Sequence, residues 1–210
     1  MSDQEQSQEQ PQLYLITPSE IDLETFPKVL GSVLDAHDIA CVRLALATTD
    51  EDALSRAADA LRETCIARDV AIVIEDHIVL AERLGLDGVH LSDGAKTVRY
   101  ARKTLGADAI VGSHCGASRH DGISAGEAGA DYISFGPVGE TNLGDGTQVE
   151  TELFQWWSEM IEVPCVAEGA LSVEHMADLA TQTDFYGIRE IWAFDDPAAA
   201  LSDMLAKLSQ

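Results

Sequence analysis

Eight short apolar runs, each followed by a stretch with helical spacing, alternate strictly along this chain, and that alternation limits its fold more than any other feature. The runs lie at 13–17, 39–46, 70–74, 88–91, 109–111, 132–135, 164–167 and 188–194. Helices are expected between them at 21–34, 51–68, 78–84, 96–104, 119–128 and 152–161, then from a Ser172 cap through 180, and from Pro197 onward. The punctuation agrees with this reading. Gly85, Gly106 and Gly129 stand where helices should stop, and Thr49 is the expected cap of the second helix, with Asp52 three residues on. Strands alternating with helices of about 10–15 residues imply parallel crossover units. Two closures satisfy the pattern, a barrel and an open doubly wound sheet. Eight units in about 195 residues favour a single-domain α/β fold, the (β/α)8 TIM barrel. No GxGxxG follows the first run, as a dinucleotide-binding sheet would require.

Charge narrows the function classes. There are 13 basic and 37 acidic residues, a formal net charge of −24. Such a surface repels nucleic acid and anionic lipid, which both bind clustered Lys and Arg, so neither is an expected partner. Residues 1–12 are polar and rich in Gln and Glu, and read as a disordered tail preceding a barrel over 13–210. The tail lacks the basic start and apolar stretch of a signal peptide. No apolar run approaches the roughly 20 residues of a membrane span, so the expected location is cytoplasmic. The cysteines Cys41, Cys65, Cys115 and Cys165 form no CxxC spacing and give no support for a zinc site.

In a barrel of this kind the chemistry gathers at the carboxyl ends of the strands. Those positions are Thr17-Pro18, Arg43 to Ala47, Glu75-Asp76-His77, Ser92-Asp93, Ser113-His114-Cys115, Gly136-Pro137 with the loop to Gln148, Glu168-Gly169-Ala170 and Phe194-Asp195-Asp196. The loop 138–148 is the longest stretch without periodicity and reads as a site lid. Four motifs fall in this frame: GADYISFGPV at 129–138, DGVHL at 87–91, EDH at 75–77 before Leu80-Ala81, and the opening LYLIT at 13–17. They resemble the GADYxxxGP, DGxHL, NDD and LYLxT motifs of the thiamine phosphate synthase family, over about 13–197.

The resemblance implies an enzyme that joins a pyrimidine methyl diphosphate to a thiazole phosphate, with Mg²⁺ as cofactor and pyrimidine and thiazole phosphates as partners. Carried onto this chain, it makes Asp76 the metal-binding residue, with Arg43, Glu75, Ser113, Thr141 and Gly169 on the substrates. Several family positions are changed. The two basic slots after the second strand are Ala45 and Ala47, with Arg43 in the place of a Gln. The partner of Asp76 falls on Ala95, with Asp93 two residues away. The lysine of the long loop falls near Gly144, and Asp195-Asp196 stand where small and hydroxyl residues usually face a phosphate. One charge-assisted hydrogen bond to a buried anion contributes roughly 1.5–3 kcal/mol, so three lost cations matter on the order of 5–9 kcal/mol. A thiazole tautomerase-like enzyme or a non-catalytic barrel that binds thiamine intermediates are the alternatives.

Each candidate also has a structural role open to it. Asp76 could cap the helix at 78–84 instead of holding metal. Arg43 faces the barrel interior by alternation and then needs an anionic partner, with Glu75 and Glu168 the candidates. His114 ends the fifth strand and is the candidate catalytic acid or base. The tautomerase branch carries its His where Gly116 stands here. Ser118 with Asp121 reads as a cap pair, leaving Arg119 to reach a phosphate. His90 reads as a buried core residue. Trp156-Trp157 read as helix packing or as the contact of a homo-oligomer.

Overall fold

The computed structural model describes residues 10–209. Eight parallel strands close into a barrel: β1 Gln12–Ile16, β2 Ile39–Leu44, β3 Ala71–Glu75, β4 Gly88–Leu91, β5 Ile110–His114, β6 Tyr132–Phe135, β7 Cys165–Glu168 and β8 Phe185–Ile188. Each pairs with the next, and β8 returns to β1 through Leu13 opposite Tyr186. The helices α1 Phe26–Ala36, α2 Glu51–Ile66, α3 Ile78–Leu84, α4 Val98–Leu105, α5 Arg119–Ala128, α6 Thr151–Met160, α7 Val173–Leu179 and α8 Pro197–Leu208 form the outer ring. The closed order settles the choice between barrel and open sheet. β1 starts at Gln12, the last residue of the segment read as a tail; residues 1–9 lie outside those described.

Two cores follow from strand alternation. Outward residues such as Leu15, Val42, Ile72, Val89 and Ile133 pack beneath the helices. Inward residues form a smaller core of Tyr14, Ile16, Cys41, Ala45, Val73, Tyr132 and Val166. Tyr132 fits only because Gly112 faces it. A Cβ on Gly112 would lie 2.0 Å from the Tyr132 ring. All four cysteines are free and buried.

The expected elements all stand, with their edges moved. The first helix begins at Phe26 rather than at 21, because Asp22 accepts from Glu24 N and Thr25 Oγ1 in a turn ahead of it. Asp50, not Thr49, caps α2 by accepting from Ala53 N. The larger change is the eighth strand. It runs over Phe185–Ile188, and Glu190–Ala193, read as its centre, is a short 3-10 helix. The apolar side chains there pack across the barrel top instead of along a strand. Trp192 lies 5.1 Å from the Phe26 ring and donates from Nε1 to Ile16 O at 2.7 Å.

Candidate active site

The upper barrel interior is polar and centred on Glu168. This residue ends β7, is 1% exposed, and projects inward among residues from five other strands. Arg43 of β2 grips it through both terminal nitrogens: Nη1 donates to Oε1 at 3.3 Å and Nη2 to Oε2. Ser134 Oγ on β6 donates to Oε1 as well. His114 Nδ1 on β5 stands 3.1 Å from Oε1 and 3.0 Å from Ser134 Oγ. Below them His90 Nδ1 bonds Tyr132 OH at 2.9 Å, which meets Tyr14 OH at 2.7 Å.

A fully buried carboxylate would ordinarily be driven toward its neutral form. Here burial is outweighed by Arg43, His114 and His90, and the Glu168 carboxyl sits well below the usual range. Burial, aided by Arg43, drives His90 well below the usual imidazole range, so it is neutral. The Glu75 carboxyl is raised, chiefly by burial, with Arg43 opposing. Glu75 Oε2 lies 3.7 Å from Arg43 Nε. Both partners named for Arg43 therefore stand beside it, and Glu168 holds it directly.

The remaining candidates are spread around this centre. Thr141, with Arg43, Glu75, Leu143, Glu168 and Arg189, lines a cavity of about 130 Å³. Gly169 has φ +88°, and a Cβ there would approach Pro137 Cα to 2.8 Å, so only glycine fits. That closeness lets Val138 N and Gly139 N donate to Gly169 O, clamping the long loop onto β7. Ser113 points away from the barrel interior, and its hydroxyl donates to Gly94 O at 2.8 Å. His114 borders a wider cleft of about 880 Å³, shared with Asp93, Lys96, Ser118, His120 and Gly144.

Asp76 stands at the mouth with φ +60°. It does not cap α3, whose N-cap is His77 without a side-chain bond. Its carboxylate accepts instead from Ser92 N at 2.7 Å and Ser92 Oγ at 2.6 Å. No group of three or more His, Cys, Asp or Glu among the described residues converges on a metal position. Mg²⁺ commonly needs only one or two carboxylates when substrate phosphates complete its shell. Asp76 fits that kind of site, because it is an exposed residue and each of its oxygens accepts a single bond. Asp93 is engaged elsewhere, accepting from Thr97 Oγ1 at 2.9 Å.

Three residues escaped the sequence reading: Arg189, Glu190 and Ser134. Arg189 and Glu190, not Asp195-Asp196, follow β8 at the mouth, a direct result of the shifted strand. Glu190 Oε2 accepts from Arg189 N at 2.9 Å, while Asp196 caps α8 through Ala199 N. Ser134 was hidden in an apolar run, although alternation with inward Tyr132 places it inside. The cap pair was legible: Ser118 Oγ accepts from Asp121 N, and Arg119 lies 4.8 Å over the Trp156 ring. Trp157 is buried, with Nε1 donating to Val163 O.

Comparison with known proteins adds the family. The thiamine monophosphate synthase family model matches residues 13–189. The thiamine-phosphate synthase of Rhodospirillum centenum is 44% identical over 196 residues, covering 91% of this chain and 94% of that protein. That of Hyphomonas neptunium is 38% identical over 210 residues, covering 96% and 95%. Among solved structures, a thiamine phosphate pyrophosphorylase from Pyrococcus furiosus superposes with a TM-score of 0.79 at 20% identity, covering 94% of this chain and 96% of that one, a likeness of fold. Motif, barrel and sequence agree: the chain belongs to the thiamine monophosphate synthase family.

Proposed function

We propose that this chain joins a hydroxymethylpyrimidine diphosphate to a thiazole phosphate, forming thiamine phosphate and releasing diphosphate in the cytoplasm. The family match over residues 13–189 carries this reading. The cleft of about 880 Å³ has the size of a small-molecule site and takes the diphosphate end. The smaller cavity between Arg43, Glu75, Thr141 and Gly169 has room for a single ring. Asp76 would hold Mg²⁺ together with the substrate's phosphate oxygens, and the ion would neutralise charge on the leaving group. Arg189 restores one cation to a mouth that lost those at Ala45 and Ala47. Ser113 acts from outside the ring pocket, through the Gly94 loop that it ties down. His114 lies on the wall of the cleft, and its side chain is 11% exposed.

The test is diphosphate release from both substrates with Mg²⁺, beside an authentic synthase under the same conditions. Release that requires both substrates bears the proposal out. Release no higher than a no-enzyme control overturns it. No helix among the described residues is long and apolar enough to cross a membrane, so the assay needs no lipid.

A further inference from the structure

Glu168 and His114 meet at 3.1 Å in the buried polar centre of the barrel, and the family motifs assign nothing to Glu168. Its Oε1 accepts from Ser134 Oγ–H while both terminal nitrogens of Arg43 hold the carboxylate in one orientation. Because Ser134 spends its proton on Glu168, the proton between His114 Nδ1 and these two oxygens belongs to the ring. That fixes the tautomer. Nδ1 is the donor, and Nε2 faces outward from the carboxylate. Nε2 is buried and has no hydrogen-bond partner. It lies 3.8 Å from the Cβ position of Gly144, on the loop that roofs the cleft. An unpaired buried nitrogen is costly to leave so. A ligand atom arriving in the cleft would relieve it.

We propose that His114 is the general acid for the departing diphosphate, and that Glu168, held by Arg43 and Ser134, is its positioning residue. This rests on the synthase reading for the identity of the leaving group. In the step, the C–O bond between the pyrimidine methylene and the diphosphate breaks, its electron pair goes to the diphosphate oxygen, and the electron-poor methylene carbon takes the lone pair of the thiazole nitrogen to form the new C–N bond. The Nε2 proton of the His114 imidazolium follows to that oxygen, leaving a neutral ring that is reprotonated from solvent. Glu168 stays ionised throughout, and Nδ1–H stays bonded to it. Arg43 thus contributes by keeping Glu168 charged, since its terminal nitrogens are taken. A cation that forms only when an anion arrives suits a buried site. A permanently charged residue there would need a permanent partner. The ring is flanked inside the barrel by His90, Arg43 and Glu168. Along the cleft it shares the surroundings of Asp93, Lys96, His120, Asp121 and Asp145.

Two experiments test this, the first without turnover. ¹⁵N NMR of the full chain should show His114 as the Nδ1–H tautomer. Inorganic diphosphate with Mg²⁺ should raise the pH at which Nε2 is half protonated by about one unit, and Glu168→Gln should remove most of that rise. An Nε2–H tautomer in the free protein, or a ring indifferent to diphosphate, overturns the proposal even if the chain proves to be a synthase. The second compares leaving groups. His114→Asn should lower kcat about 10²-fold on the natural diphosphate, the usual scale of general acid catalysis. The loss should shrink to a few-fold with a difluoromethylene-bridged analogue, whose leaving group needs a proton less. Glu168→Gln should show the same pattern and move the alkaline limb of the pH profile to lower pH, with Glu168→Asp recovering part of it. Equal losses on both substrates would reduce Glu168 to a structural residue and overturn the assignment. If neither substrate pair turns over in the wild type, the synthase reading falls, while the NMR result still decides the pair.

Discussion

Arg43 and Glu168 show how a single buried charge depends on its partner. Each is almost fully buried, at 3% and 1% exposure. Truncating one leaves the other uncompensated, whereas replacing both with apolar groups of similar volume can be close to neutral. Arg43→Met alone should therefore cost about 3–5 kcal/mol, and so should Glu168→Leu. The double variant should cost well under their sum, and urea unfolding of all four proteins measures the difference. Additive losses would mean that the two side chains are not coupled. His90 sets a pH dependence with a definite sign. Its folded pKa lies well below the ordinary 6.5 through burial, so the unfolded chain binds the proton more readily. The resulting stability is present above about 6.5 and is lost as pH falls from there toward the folded pKa. Glu168, also depressed, adds a second loss in the same direction, beginning near 4.5. Unfolding free energies of wild type and His90→Phe should run parallel above pH 6.5. As pH falls from 6.5 toward 4.5 the difference should shift against the wild type, which alone carries the His90 loss.

Three of the four even-numbered strands, β4, β6 and β8, share a device that links element geometry to the motifs. Asp87, Asp131 and Asp184 immediately precede β4, β6 and β8. Each accepts an N–H from the strand just before it: Ile72 N at 2.7 Å, Val111 N at 2.7 Å and Cys165 N at 2.8 Å. Each also returns its own N–H to the carbonyl of that same residue. Two bonds between one pair of residues fix the register of neighbouring strands at the amino-terminal face. The aspartates in DGVHL and GADY are thus fold residues, far from the mouth. Asp184→Ala should cost about 1–2 kcal/mol, the scale of a hydrogen bond to a charged acceptor at a partly exposed site. Asp203→Ala, on the exposed face of α8, should stay within about 0.5 kcal/mol, and thermal unfolding compares them. The barrel was legible because its strands are short apolar runs cut by glycine and aspartate. The eighth strand was not, since the run at 188–194 is longer than Phe185–Ile188 and holds five apolar residues against three, which drew the assignment forward. The aspartate before each even strand was the signal that marks its true start. The site was legible where alternation alone placed a side chain, as for Arg43. It was hidden where partners converge from distant strands, as Ser134, His114 and Glu168 do.

At the scale of the whole molecule, the chain carries 37 acidic residues against 13 basic ones, while its proposed substrates are anions. The local cations of the cleft and cavity, among them Lys96 and Arg189, act over a few ångströms, while the excess of 24 negative charges acts over the screening length. That length is about 30 Å at 0.01 M salt and about 8 Å at 0.15 M. At low salt an approaching diphosphate therefore meets the repulsion of most of the surface, and at 0.15 M it meets little beyond the rim. Association between like charges speeds up as salt screens them, the reverse of steering between opposite charges. The kcat/KM for the pyrimidine diphosphate should accordingly rise several-fold between about 0.01 and 0.15 M KCl at fixed Mg²⁺. The change should sit in KM, because contacts inside a closed barrel are screened much less than those at the surface. A fall in kcat/KM over the same range would mean that a few mouth cations, not the global charge, govern approach. Arg189→Gln would then be expected to abolish the salt effect, whereas under the global reading it leaves the slope unchanged.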